Sequence, residues 1–354
     1  SSGSDRSGAL SPPGPGVWRL DVTHFPRPLP RFGRDEYARA FELGVERGMA
    51  GAGLPLRTIA LRFVQGLAYM QPIPLVGGPP DDERAPRSGP PRRPPWWVAR
   101  AAWAMVPTLR KRSGVAKRYF ESQGWRRDVT WWDEEAKPAL RRRLDPLAAA
   151  RPRALSDEAL LAHVTECLAA LEANLVAHFT MNPAVGIPVG RFLAHARRWT
   201  DLDDLALLAL TSRWRPALGS EPLTRLVDAL RAAGLDDWFV SSEAAAPERR
   251  TEASVGELAR AWMETMEVRQ IATGDMSMPN AGELPQLLRE RLRQALTAAA
   301  PETAGGEPEL EEARARVPEP RRGEFDALLE EARHVYRIRD ERSAVMDSLA
   351  FGVC

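Results

Sequence analysis

Lysine is nearly missing from this chain of 354 residues: Lys111, Lys117 and Lys137 are its three lysines. Lysine and arginine together number 49, so arginine carries almost all the positive charge. Aspartate and glutamate number 48, which leaves a formal net charge of +1. So close a balance removes the broad cationic field with which polyanion-binding proteins collect their partners. The arginine bias, beside abundant alanine and 31 prolines, looks like GC-rich codon usage. Cysteine is scarce as well. Cys167 and Cys354 give no disulfide framework and fit a reducing compartment, so a cytoplasmic location is expected. No stretch approaches the ~18 uninterrupted apolar residues of a membrane helix. Residues 1–16 also lack the charged-then-apolar order of a signal peptide. The expectation is a soluble protein without a membrane partner.

Most chemical signatures are missing too. There is no Walker-type phosphate loop, and Gly51-Ala-Gly53-Leu-Pro-Leu56 lacks the third glycine of a dinucleotide fingerprint, so it reads as a turn. His-Glu-x-x-His, Cys-x-x-Cys and Gly-x-Ser-x-Gly are absent. The histidines are His24, His163, His178, His195 and His334. His163 and Cys167 stand four apart and share a helix face, but no third ligand has matching spacing, so no metal site is expected.

What is present is a folded protein's share of hydrophobic residues, 44%, and 11 tryptophans that need large apolar surfaces to bury them. The length predicts one large helical body or two packed subdomains. Residues 1–16 are a Ser/Gly/Pro tail, and order is expected from Val17–Trp18 through residue 354. Residues 79–95 read as a Pro/Arg-rich surface loop, and a weaker break lies at Pro301–Pro308. Between the breaks, helical periodicity dominates. Ser156, followed by Asp157 and Glu158, starts a helix with apolar residues at Leu160, Val164, Leu168, Leu171, Leu175 and Phe179. Ser220 opens another, carrying Leu223, Leu226, Val227 and Leu230 and closed by Gly234. Ser254-Val-Gly-Glu257 is a capping-box pattern ahead of Leu258, Trp262 and Met266. Phe325, Leu328, Ala332, Val335 and Arg339 mark the last long helix. Strand-like alternation is confined to Val17–Thr23 and Thr58–Val64. The fold class is therefore mainly α, with a small β element near the N-terminus. The helical pattern runs on to Phe351-Gly-Val-Cys354 without a polar tail, so a further domain is expected beyond it.

From Arg84 to Arg127 there are 12 basic residues against the single acid Glu121, with Trp96, Trp97, Trp103 and Trp125 interleaved. Charge neutralisation with stacking is what single-stranded nucleic acid requires. The plainer reading is an arginine-rich loop beside an amphipathic helix whose tryptophans are core. The scarcity of lysine and the balanced charge turn the reading away from nucleic acid, toward docking on an acidic face of a partner domain.

Four segments, taken in order, carry a resemblance. They are Trp18-Arg-Leu-Asp21-Val-Thr-His24-Phe25-Pro26-Arg-Pro28, Leu61-Arg62-Phe63-Val64-Gln65-Gly66-Leu-Ala-Tyr69-Met70, Trp262-Met-Glu-Thr-Met-Glu267-Val268-Arg269 and Tyr336-Arg-Ile-Arg339-Asp340-Glu341-Arg342. Together they resemble the central, substrate-binding helical domain of rifampin phosphotransferase and its relatives among the phosphohistidine enzymes, which include phosphoenolpyruvate synthase and pyruvate phosphate dikinase. The likeness spans residues 17–354 and rests on the ordered set, since no one motif is specific. It implies an enzyme in three parts. An ATP-grasp domain would bind ATP and Mg, a mobile domain would carry the phosphohistidine, and this chain would hold the acceptor. Neither of the first two parts is in this sequence, so the chain alone would not turn over ATP. By the same resemblance, arginines would screen the phosphoryl charge during transfer to a hydroxyl of a bulky small molecule.

The sequence departs from the pattern at two points. Glu267-Val268-Arg269 stands where the family has Gly-His-Arg, so only Arg269 inherits a phosphate-facing role. One turn after Arg339 the rifampin enzymes carry a lysine; here Ser343 stands there. A different acceptor, or a dehydration in which a phosphorylated hydroxyl is eliminated, fits these changes. The candidate catalytic residues are Arg339, Arg269, His24, Asp21 and Glu341. His24 beside Asp21 suits a base oriented by a carboxylate, or a structural histidine under Phe25 and Pro26. Arg62, Gln65, Tyr69 and Met70 are candidates for an acceptor-binding wall, with core packing as the alternative for Tyr69 and Met70. Arg339, Asp340 and Glu341 read equally as a solvated helix face. Met276 and Met278 beside Pro279 suit loop-end packing. Two other functions stay open: a helical module that only docks partner domains, and a self-contained enzyme resting on the His24–Asp21 pair alone.

Overall fold

The computed structural model describes residues 13–77, 95–212, 220–241, 253–267, 284–297 and 308–354. The protein is mainly α-helical, with one small antiparallel sheet near the N-terminus. The chain divides into two compact units. The first comprises Ser1–Leu140, Pro152–Pro183 and Thr273–Met276; the second comprises Arg141–Arg151, Ala184–Ala272 and Ser277–Cys354. The expected loop at 79–95 and the break at Pro301–Pro308 lie almost wholly outside the described residues, as do Arg269, Met276 and Met278.

In the first unit the sheet has strand order β1-β3-β2, with β1 Arg19–Leu20, β2 Leu56–Val64 and β3 Leu67–Pro74. Gln65 and Gly66 join β2 to β3 with φ of 52° and 84°. Two positive φ values in a two-residue loop match the twist of the flanking strands. A Cβ on Gly66 would sit 2.7 Å from the carbonyl oxygen of Leu29, so glycine is required there. Helix α1, Arg34–Gly51, opens with Asp35 and Glu36 in its first turn, where carboxylates favour the positive end of the helix. Its buried residues Tyr37, Ala40, Phe41, Gly44, Val45 and Gly48 form one stripe. Helices α2 Trp96–Met105, α3 Pro107–Glu121 and α4 Gly124–Trp131 come after the sheet. The chain then widens into a π-helical turn at Trp132–Ala136 and continues as α5, Lys137–Ala148.

Helix α6, Asp157–Thr180, starts as the sequence requires: Ser156 accepts a hydrogen bond from the Ala159 N–H at 3.3 Å. Its Phe179 meets α1 edge-on, 4.7 Å from the Phe41 ring centroid and 5.9 Å from that of Tyr37. The two helices approach so closely that a Cβ on Gly44 would lie 2.7 Å from both the Phe179 Cβ and the Val176 carbonyl oxygen. Helix α7, Asn182–Trp199, comes next. Asp157–Trp199 is long and apolar enough, by length and composition alone, to cross a membrane, with 33% of its most apolar window buried. Leu171, Leu175 and Phe179 are among its buried residues, and Phe179 packs on α1.

The second unit is helical, with α8 Asp204–Ser212, α9 Ser220–Ala232, α10 Asp236–Ser241, α11 Ala253–Glu267, α12 Pro285–Thr297, α13 Pro308–Arg316 and α14 Arg322–Asp340. A second π-helical stretch, Glu341–Asp347, leads into α15, Ser348–Gly352. One core cluster joins α9, α10, α11 and α12 through Leu226, Leu230, Phe239, Ala259, Trp262 and Leu292. Gly234 ends the α9 turn at φ 65°, a conformation glycine adopts without strain. Another contact pairs Phe192 of α7 with Phe325 of α14, 5.4 Å between ring centroids. The stripe of α14 runs through Phe325, Leu328, Ala332, Val335 and Ile338. Arg339 does not continue it and is exposed, because a 3.6-residue period carries the buried face from Val335 to Ile338.

Candidate functional site

Asp21 and His24 come together at the end of the sheet in the first unit. The Asp21 N–H donates to the Ala68 carbonyl at 2.9 Å, fixing the segment to β3. Its carboxylate accepts the backbone N–H groups of Thr23 and His24, both at 3.1 Å, in a local turn. The same carboxylate meets Nδ1 of His24 at 2.9 Å through Oδ2 and at 3.1 Å through Oδ1. The Asp21 side chain is 5% exposed and that of His24 is 70% exposed. A carboxylate only accepts, so Nδ1 carries the proton and the neutral ring keeps its lone pair on Nε2. This is the order that makes a histidine a proton acceptor: a buried carboxylate behind it and an accessible nitrogen ahead. Phe25 anchors the segment, 5.3 Å from the Tyr37 ring centroid and 5.8 Å from that of Phe63.

The hairpin does not bring Arg62, Gln65, Tyr69 and Met70 onto one wall. Arg62 pairs across the strands with Tyr69, whereas Met70 pairs with Leu61 on one side and Arg19 on the other. Neighbouring residues of a strand point to opposite faces, so Tyr69 and Met70 are separated by the sheet itself. Gln65 occupies the turn and is exposed. The Arg62 guanidinium donates to the Glu42 carboxylate and to the Leu61 carbonyl, the latter at 2.8 Å. Glu42 also accepts the Leu61 N–H at 3.0 Å, so this pair clips α1 to β2. Tyr69 is buried and Met70 is half-buried.

In the second unit, Arg339 stands exposed near the end of α14, with its guanidinium 5.0 Å from the Tyr336 ring centroid and donating to the Tyr336 hydroxyl. Glu341 accepts from Arg337 at 2.9 Å, an i,i+4 ion pair whose side chains are both mostly shielded. Beyond them, the π-helical stretch buries two residues that the sequence pattern did not single out, Arg342 and Asp347. Burial holds the Arg342 guanidinium down to about 10; the Asp347 charge works against that fall and the Arg339 charge adds to it. Its place was available in the sequence. Arg342 lies four residues after Ile338 and four before Met346, on the buried face of the helix.

His163 Nε2 and Cys167 Sγ lie 3.5 Å apart on α6. Among the described residues no three His, Cys, Asp or Glu side chains are grouped to hold a metal ion. No family model, no curated protein and no solved structure matches this chain.

Proposed function

We propose that this chain is the acceptor-binding part of an ATP-dependent phosphotransferase that works through a phosphohistidine. The ordered set of four resembling segments supports the reading, and the Asp21–His24 pair is the observation that carries it. ATP and Mg belong, in this reading, to an ATP-grasp domain supplied in cis or in trans. The phosphohistidine belongs to a second partner domain. The acceptor is a bulky, partly apolar small molecule with a free hydroxyl. During transfer the hydroxyl oxygen bonds to phosphorus, the phosphorus–nitrogen bond of the phosphohistidine breaks, and the hydroxyl proton passes to Nε2 of His24. Asp21 holds the imidazole in the accepting tautomer and offsets the positive charge it gains. Arg339 and Arg269 are carried over from the resemblance as the arginines that screen phosphoryl charge, a role assigned to the second unit by itself. Elimination of the phosphorylated hydroxyl would turn the same machinery into a dehydratase.

The test uses the complete enzyme, this chain together with its ATP-grasp and phosphohistidine domains. Labelled phosphate is traced from ATP into a panel of hydroxylated apolar natural products. His24→Asn keeps a donor toward Asp21 but removes the base, and is expected to lower kcat by roughly 10²–10⁴-fold. Arg339→Ala is expected to remove transfer while leaving the circular dichroism spectrum unchanged. Full activity in Arg339→Ala, or in His24→Asn, overturns the reading.

A further inference from the structure

Helix α2 has the sequence Trp-Trp-Val-Ala-Arg-Ala-Ala-Trp-Ala-Met and a single charge, Arg100. A helix this apolar is ordinarily packed on all sides. Here Trp96 is 75% exposed, Trp97 61% and Met105 79%; Val98, Ala101 and Ala104 are exposed as well, and Trp103 is half-buried. Helix α3, which packs beside it, is cationic: Arg110, Lys111, Lys117 and Arg118 are exposed, and Arg112 is half-buried, donating to the Leu54 carbonyl at 3.4 Å. Across α2 and α3 the one acid is Glu121, 3.7 Å from Lys117. Phe120 adds a further exposed ring.

We infer that α2 and α3 form a docking surface for an anionic lipid bilayer. The charge of α3 complements acidic headgroups, and each basic residue near such a surface adds about 1 kcal/mol of attraction. Tryptophan is the side chain that settles at the headgroup level, with its ring in the acyl boundary and its N–H in water. Two observations favour a bilayer over a protein face. The exposed apolar side chains of α2 include the consecutive Trp96, Trp97 and Val98, which span about 200° of the helix circumference, wider than the stripe a protein groove covers. Lysine is depleted in protein interfaces, yet two of the three lysines of this chain are on α3. The expectation of no membrane partner rested on the want of a spanning run; a helix that lies in the interface needs none.

The experiment is co-sedimentation of the full chain with vesicles of phosphatidylcholine alone, or with about one-third phosphatidylserine. Binding to the anionic vesicles, released by high salt, is expected. Changing Lys111 and Lys117 together to Ala should weaken it by roughly 30-fold. Changing Trp96 and Trp97 together to Ala should weaken it by about tenfold or more. These side chains are exposed, so an unchanged circular dichroism spectrum is expected and confirms that each variant is folded. Absence of binding, equal binding to neutral vesicles, or binding indifferent to both double variants overturns the inference. If vesicles are ignored while a phosphohistidine domain is bound through Trp96 and Trp97, the face belongs to a protein and the inference is overturned.

Discussion

Two stretches of this chain widen from α- to π-helix, and they bury opposite kinds of residue. At Trp132–Ala136, in the first unit, the buried side chains are Trp132 and Ala136, and the acids Asp133, Glu134 and Glu135 stay toward solvent. At Glu341–Asp347, in the second unit, Arg342 and Asp347 are buried, with Met346 beside them. A π turn carries an extra residue and so rotates the next helical turn about the axis. In the first case the rotation keeps an apolar stripe in register from Trp125 and Val129 to Leu140. In the second it places a guanidinium and a carboxylate in a shielded site beyond Arg339. The same backbone device therefore serves packing in one unit and positions charge in the other. Only the second type has a natural link to chemistry, because buried charge is retained at a cost that packing alone would not impose.

Breaking the apolar case should have the largest effect. Trp132→Ala is expected to cost about 4 kcal/mol, because Trp132 is fully buried and leaves a large cavity; denaturant unfolding measures it. A loss below about 1 kcal/mol would mean that the first π turn collapses around the gap. The polar case comes next. Arg342→Met should cost about 3 kcal/mol by stranding the Asp347 charge, and adding Asp347→Asn should restore part of that loss. An additive double variant would show that the two charges do not support each other. The pH dependence sharpens the same point. Burial lowers the Arg342 pKa from its ordinary, far more basic value to about 10, so above pH 10 the folded state sheds this proton before the unfolded chain does. Wild type should therefore gain stability relative to Arg342→Met as pH rises above 10, and below pH 10 the difference should be flat.

The smallest effect is expected where a polar group of the first unit is half-shielded. Tyr119 donates to Asp128 at 2.8 Å, and burial together with the Asp128 charge raises the phenol above its ordinary pKa. Tyr119→Phe should cost about 1 kcal/mol, since Arg127 still donates to Asp128 at 2.9 Å. A loss as large as that of Arg342→Met would erase the contrast between the two units.

Much of the helical architecture was legible because amphipathic periodicity is local. The Ser156 cap, the stripe through Leu171, Leu175 and Phe179, and the Gly234 stop are all found where the spacing puts them. The strand Leu67–Pro74 was not legible, since Pro72 and Pro74 weaken the strand signal while an edge of β3 tolerates them. The tryptophans of the basic region also divided in a way the sequence could not foretell. Trp125 is core, whereas Trp96 and Trp97 face outward. In the candidate site, the closeness of Asp21 and His24 was legible because three residues suffice for a side chain to reach back.

By itself the sequence determined the mainly α class, the near-neutral charge and the local turns, because capping, helical period and glycine conformation depend on a few neighbouring residues. Tertiary structure decided which side of each element is buried. It put Tyr69 in the core, set Asp347 in the interior with Arg342, turned Trp125 inward and left Trp96 and Trp97 outside. Each of these depends on contacts between segments distant in the chain, and a local pattern carries no record of them.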